Sequence, residues 1–279
     1  MKTLLIAFFF SGSLFAAGSV TLSVMPPSHP LDWSSPGGVF KAIMKNKIAF
    51  EKRPLGLVAV TVNCPLVSET LALRPYSMGL IGELLIEGRG LGLLYHTFPG
   101  ELETVTSDDL KERTHFLRTL VSDDHCTRIG AYLKEFREKK VGRHFGFPHR
   151  PLMGEGGNDM SFAVSILEVA GLIEQTQKEA WERVVYLPDE LSGMPLKEKY
   201  VSFFSLMGSA WGKDDQKATV LKFWDSEKLM KWIEKQPTVK KDGTAQGVEI
   251  DQTNSRAPEG GLWKQSLDSQ YEKKNNVIP

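Results

Sequence analysis

The stretch GEGGNDMSFAVSILEVAGL, Gly154 to Leu172, runs a glycine-rich loop straight into a helical pattern. Glu155 and Asp159 stand close together there, near the expected helix start, and two carboxylates so placed can divide acid and base work between them. Asp159 has a plainer use as a cap or first-turn acid favoured by the helix dipole. His96, in LYHTFPGE, sits at the end of an apolar run beside a turn at Pro99-Gly100. It can serve as a base or ligand for the same site, or as a hydrogen-bonded structural histidine. His144 and His149, flanked by Arg143 and Arg150, crowd the loop before the glycines and could hold an anion, or a metal together with Glu155. Their spacing matches no zinc-binding pattern. A P-loop, a dinucleotide glycine fingerprint and a G-x-S-x-G elbow are also missing, so neither a metal nor a cofactor is expected.

The chain has two cysteines, Cys64 and Cys126. They read as a disulfide, as two separate buried thiols, or as a nucleophile, although neither has the glycine-rich strand-to-helix setting that exposes a nucleophile. The compartment bears on the choice. Lys2, an apolar run from Leu4 to Phe10, and small residues at Ala16 and Gly18 form the three parts of a secretory signal, with cleavage expected after Gly18. The run is well short of the ~20 residues that span a bilayer. We therefore expect residues 1–18 to be removed and the protein to be periplasmic or extracellular, with no transmembrane segment after cleavage. Outside the cytoplasm an even cysteine pair favours a disulfide. Acidic and basic residues balance at 34 each. Such a chain has no basic footprint for nucleic acid.

Several elements must position these residues. Residues 19–44 open with Pro26, Pro27, Pro30 and Pro36 and read as an extended arm. LGLVAVTV, Leu55 to Val62, is the first dense β-branched run, closed by Pro65. Leu84 to Phe98 and Thr114 to Val121 read as further strands. Ser122, Asp123 and Asp124 start a helix whose Ile129, Tyr132, Leu133 and Phe136 share one face. The loop from Gly142 to Gly157 leads to a second helix over Asp159 to Ala170, stopped by Gly171. Val184 to Leu187, Val201 to Leu206 and Ala218 to Phe223 read as strands, and Ser226 caps a last helix to Lys235. The tryptophans Trp181, Trp211, Trp224 and Trp232 suit either a glycan groove or core packing. Residues 236–279 thin out in apolar content and read as a mobile tail on which Leu262 and Trp263 could dock.

The loop and helix resemble the NlpC/P60 and permuted papain-like families, whose motif runs Asp/Asn-Cys-Ser-x-Phe and then a helix ending in Ala-Gly. Asn158, Ser161, Phe162, Ala170 and Gly171 match its surroundings, while Asp159 stands at the nucleophile position. The family's Gly-His-Val strand falls on Gly56-Leu57-Val58, with Leu57 at the histidine position. The resemblance, over roughly residues 50 to 190, implies an α+β fold: a mostly antiparallel central sheet packed with two or three helices, spanning 45–235, plus a C-terminal extension. Thiol chemistry needs both a sulfur and a base. With Asp159 and Leu57 in their places, the resemblance implies a pseudoenzyme that binds a cell-envelope component or a protein partner. The rival reading is an active hydrolase of peptidoglycan or another amide, working through a rearranged Glu155, Asp159 and His96.

Overall fold

The computed structural model describes residues 17–48, 55–75, 90–91, 98–106, 110, 115–147, 149–193, 200–213, 218–237, 239–241 and 245–264. The chain is α+β. Its strands are β1 (Gly18–Met25), β2 (Leu57–Cys64), β3 (Val67–Pro75), β4 (Phe98–Thr104), β5 (His115–Val121), β6 (His144–Phe145), β7 (Glu182–Pro188), β8 (Ala218–Trp224), β9 (Val239–Lys241) and β10 (Ala245–Asp251). The α-helices are α1 (Pro36–Ile48), α2 (Asp123–Glu138), α3 (Asp159–Ala170), α4 (Gln175–Trp181), α5 (Phe203–Gly208) and α6 (Ser226–Lys235). Eight strands form one sheet in the order β6-β4-β3-β2-β1-β5-β10-β9, and β7 pairs with β8 in a separate ribbon. Every pairing is antiparallel except that of β10 with β5.

β1 corrects the expectation of an arm over residues 19–44. It lies between β2 and β5, near the middle of the sheet. The cause is legible in SVTLSVM, whose strict alternation puts Val20, Leu22 and Val24 on the core face, where all three are buried. The four prolines come only after the strand has ended. Pro36 then opens α1 at a position where its missing N–H goes unused. Gly37 of α1 packs so closely that an added Cβ would lie 2.9 Å from the Met207 carbonyl oxygen at the end of α5.

The tail expected over 236–279 also differs within the described residues, for β9 and β10 extend the sheet and β10 runs alongside β5. Beyond it, Arg128 of α2 donates from Nε to the Val169 carbonyl at 2.6 Å, and from its terminal nitrogens to the carbonyls of Gly260 and Gly261 at 3.0 and 3.1 Å. Trp263 stacks obliquely on Tyr132 at 5.3 Å and donates its indole N–H to Glu135 at 2.7 Å. The planar guanidinium satisfies three carbonyls that water would otherwise have to reach. A third difference falls at residues 201–206, where Ser202 caps the N-terminus of helix α5 through Ser205 N–H at 3.1 Å. The serine cap outweighs the strand propensity of the apolar residues around it.

α2 and α3 cover one face of the sheet. Ile129, Tyr132, Leu133 and Phe136 from α2 meet Phe162, Ile166 and Val169 from α3 over Val58, Val60, Val62, Leu71 and Leu73. The buried Tyr132 hydroxyl is paired with Ser165 Oγ at 2.8 Å. A smaller cluster of Leu57, Ala59, Ala72 and Val105 packs separately from this core, in keeping with the alternation of side chains along β2. Among the described residues no helix is long and apolar enough to cross a membrane.

Candidate functional site

The glycine loop and α3 set the geometry at Asp159. Asn158, not Asp159, is the N-cap: its Oδ1 accepts the Ser161 N–H at 2.7 Å, and Ser161 Oγ accepts the Asn158 N–H at 2.8 Å. Asp159 is thereby the first helical residue, free to reach sideways. Its Oδ1 accepts the Met160 N–H at 2.8 Å. Its Oδ2 accepts the Val58 N–H at 2.7 Å, across 101 residues of sequence.

That second bond exists because the sheet is split. β2 and β3 pair from Cys64↔Val67 to Val60↔Leu71 and no farther. Yet β2 continues to Leu57 against β1, and β3 continues to Pro75 against β4. Backbone N–H groups in such a gap need other partners. At Val58 the Asp159 carboxylate takes the role of a ladder acceptor.

The split opens into a pocket of about 210 Å³. Asp159 and Leu57 line it with Arg74 of β3, Glu103 of β4, Asp225 at the cap of α6, and aromatic walls from Phe145, Phe147, Phe223 and Trp224. Arg74 pairs with Glu103 at 2.8 Å. Asp225 is bound by Arg183 of β7 and caps α6 by accepting the Glu227 N–H at 2.8 Å. Desolvation in these surroundings pushes the Asp159 carboxyl from its usual 3.8 up to about 6, against the downward pull of its hydrogen bonds from Val58 and Met160 and of the Arg74 guanidinium. A carboxyl in that range changes charge near neutral pH.

Glu155 is placed elsewhere. Its carboxylate accepts the Arg150 backbone N–H at 3.1 Å and the same residue's guanidinium at 3.4 Å, and it does not line the pocket. The glycine loop brings Glu155 back onto the turn that precedes it, so Glu155 bonds Arg150 while Asp159, as a first-turn acid, bonds Met160 and Val58. His96 falls on residues 92–97, outside the described residues. Leu57 reaches the pocket edge while packing with Ala59, Ala72 and Val105; its neighbour Val58 supplies the N–H that meets Asp159.

Cys64, at the end of β2, and Cys126, in the first turn of α2, form a disulfide with Cα atoms 5.6 Å apart. The neighbouring His125 is buried and accepts the Ser122 backbone N–H through Nδ1 at 3.2 Å. Desolvation lowers its pKa despite the pull of Asp124. Its role is to close the first turn of α2. His149 and Arg150 border a second hollow with Lys222, Phe147 and Trp224. No three histidine, cysteine, aspartate or glutamate residues gather as a metal cluster among the described residues. Of the four tryptophans considered for a groove, Trp224 lines the pocket. Trp181 is fully buried against Trp232, and Trp211 stacks on Trp33.

Arg74, Glu103 and Asp225 were not distinguished by sequence motif. The one local sign was alternation in ELETVT, which puts Glu101 and Glu103 on one face of β4; nothing local tied that face to Asp159. Comparisons with protein-family models, with curated proteins and with solved structures give no match.

Proposed function

We propose that this is an exported, NlpC/P60-like protein without the family's cysteine machinery, whose pocket binds a cell-envelope component or a protein partner instead of cutting it. One observation carries the reading. The head of α3 and the edge of β2, the two places where the resemblance puts nucleophile and base, meet in a single pocket through the Asp159–Val58 hydrogen bond. Chemistry at that junction is the part that has changed. Both cysteines of the chain are consumed in the disulfide, so no thiol is left to act as a nucleophile. Asp159 spends both carboxylate oxygens on backbone N–H groups, a positioning role that suits a binding wall.

The hydrolase reading needs Glu155 beside Asp159, and Glu155 is held by Arg150. The test is turnover of peptidoglycan fragments by the wild type, Asp159→Ala and His96→Ala proteins, each checked for folding. We expect no turnover from any of them. Hydrolysis by the wild type that disappears in a folded Asp159→Ala protein would overturn the proposal.

A further inference from the structure

The charges around the pocket do not cancel. Arg74 is matched by Glu103 and Arg183 by Asp225, with Arg183 also 3.7 Å from Glu227. Glu155, on the loop before α3, is matched by Arg150. The groups that β2 and β8 contribute to the lining, Leu57, Phe223 and Trp224, carry no charge. Among the described residues this leaves one carboxylate, Asp159, whose only cationic neighbour is already engaged by another acid.

An unbalanced carboxylate in a desolvated pocket is unfavourable unless a cation joins it. The walls suit a particular kind of cation. Phe145, Phe147, Phe223 and Trp224, with Leu31, Leu55 and Leu73, offer apolar and aromatic surface, and the lining acids Asp159, Glu103 and Asp225 do not gather into a metal-binding group among the described residues. A strongly hydrated metal ion would lose its water there without replacement ligands. An alkylammonium group carries its charge under a skin of methyl or methylene carbons, and aromatic walls with a carboxylate are the surroundings that hold it.

We propose that the pocket binds an organic ammonium group, its positive charge facing Asp159 and its alkyl skin against the aromatic wall. This deepens the binding function proposed above and rests on it only for the use of the same pocket. A free small amine or the head group of a zwitterionic lipid would present the same chemistry. Because the ligand's charge is matched only by ionised Asp159, which titrates near 6, affinity rises with pH below that value. It then levels off.

The experiment is calorimetric titration of the full exported protein with choline at pH 5, 6, 7 and 8. The neutral isostere 3,3-dimethylbutan-1-ol serves as the control, and lysophosphatidylcholine below its micellar concentration as the second arm. Choline affinity should rise about tenfold between pH 5 and pH 7, since one pH unit below a group's pKa corresponds to about a tenfold change. The isostere should bind at least ten times more weakly and show no pH trend. Tighter binding of lysophosphatidylcholine than of choline identifies a lipid head group as the source; equal or weaker binding identifies a free amine. Asp159→Asn should abolish both the affinity and its pH dependence, and the wild-type pH series decides the matter if that variant does not fold. Equal affinity for choline and its isostere, or affinity flat with pH in the wild type, overturns the proposal. Either result leaves the absence of turnover, the mark of the binding function, to be judged separately on peptidoglycan fragments.

Discussion

The two ends of β2 are each tied to the first turn of a helix, and they are tied in opposite ways. At one end Cys64 is bonded covalently to Cys126 of α2, both side chains buried. At the other, Val58 is held to Asp159 of α3 by one hydrogen bond to a titrating carboxylate, on the wall of a pocket. The first tie is indifferent to pH and lies in the core, Cys64 and Cys126 both being buried. The second is made where the ladder between β2 and β3 has ended. One strand thus has a covalently anchored end and an end whose tie depends on the charge of one carboxyl group. The lesson is that one strand can be fixed covalently in the core at one end while its other end is held by a single titratable group on a pocket wall.

The largest effect should come from breaking the anchored end. A disulfide closing a separation of 62 residues contributes about 4 kcal/mol by the chain-entropy model. Urea denaturation of the Cys64→Ser, Cys126→Ser double variant should show a loss of that order relative to the oxidised wild type.

At the pocket end the expected signature is a pH slope. The folded value of Asp159, about 6, lies above the ordinary 3.8, so the native state binds the extra proton between these limits. Its contribution to stability is fully present below pH 4 and is lost as pH rises through 6, on the order of 1–3 kcal/mol after allowance for partial exposure. Comparing wild type with Asp159→Asn from pH 4 to pH 8 isolates that slope. Identical profiles would remove the distinction drawn between the two ends of β2.

A smaller effect should follow from Glu103→Gln. Its ion pair with Arg74 is partly exposed and is worth under about 1 kcal/mol of stability. Releasing Arg74, however, makes its charge available to Asp159 and should lower the carboxyl pKa, visible in an NMR titration of the side-chain carbon. Smallest of all, Glu155→Ala should change stability by less than about 1 kcal/mol, since its partner Arg150 is largely exposed. Ligand affinity should not move.

The parts of the fold that were legible share a cause. α2 and α3 announce themselves because their apolar spacing, the negative first turn at Asp123 and Asp124, and the glycine stop at Gly171 all act within a few residues. β2 and β5 were equally plain as β-branched or alternating runs. β1 is masked in the sequence although SVTLSVM alternates strictly, because the prolines that follow it give the segment the composition of an extended arm. α5 is ambiguous in the sequence because six residues are too few to reveal a period, and the Ser202 cap on Ser205 marks it as a helix. β10 is legible in no local pattern strong enough to outweigh its polar surroundings; it is a strand because β5 offers an open edge.

The candidate site divides along the same line. Local sequence determined that Asp159 would stand at the head of an apolar helix after a glycine-rich loop, and that two cysteines were available to pair, since capping, composition and residue counts need no knowledge of distant neighbours. Tertiary structure alone decided that Asp159 would meet Val58, 101 residues away, that Glu155 would turn to Arg150, and that Arg74, Glu103 and Asp225 would gather round the same pocket. Those outcomes depend on where β2 and β3 part company, and the length of a ladder is set by the packing of whole strands against whole helices. No residue in either strand encodes it alone.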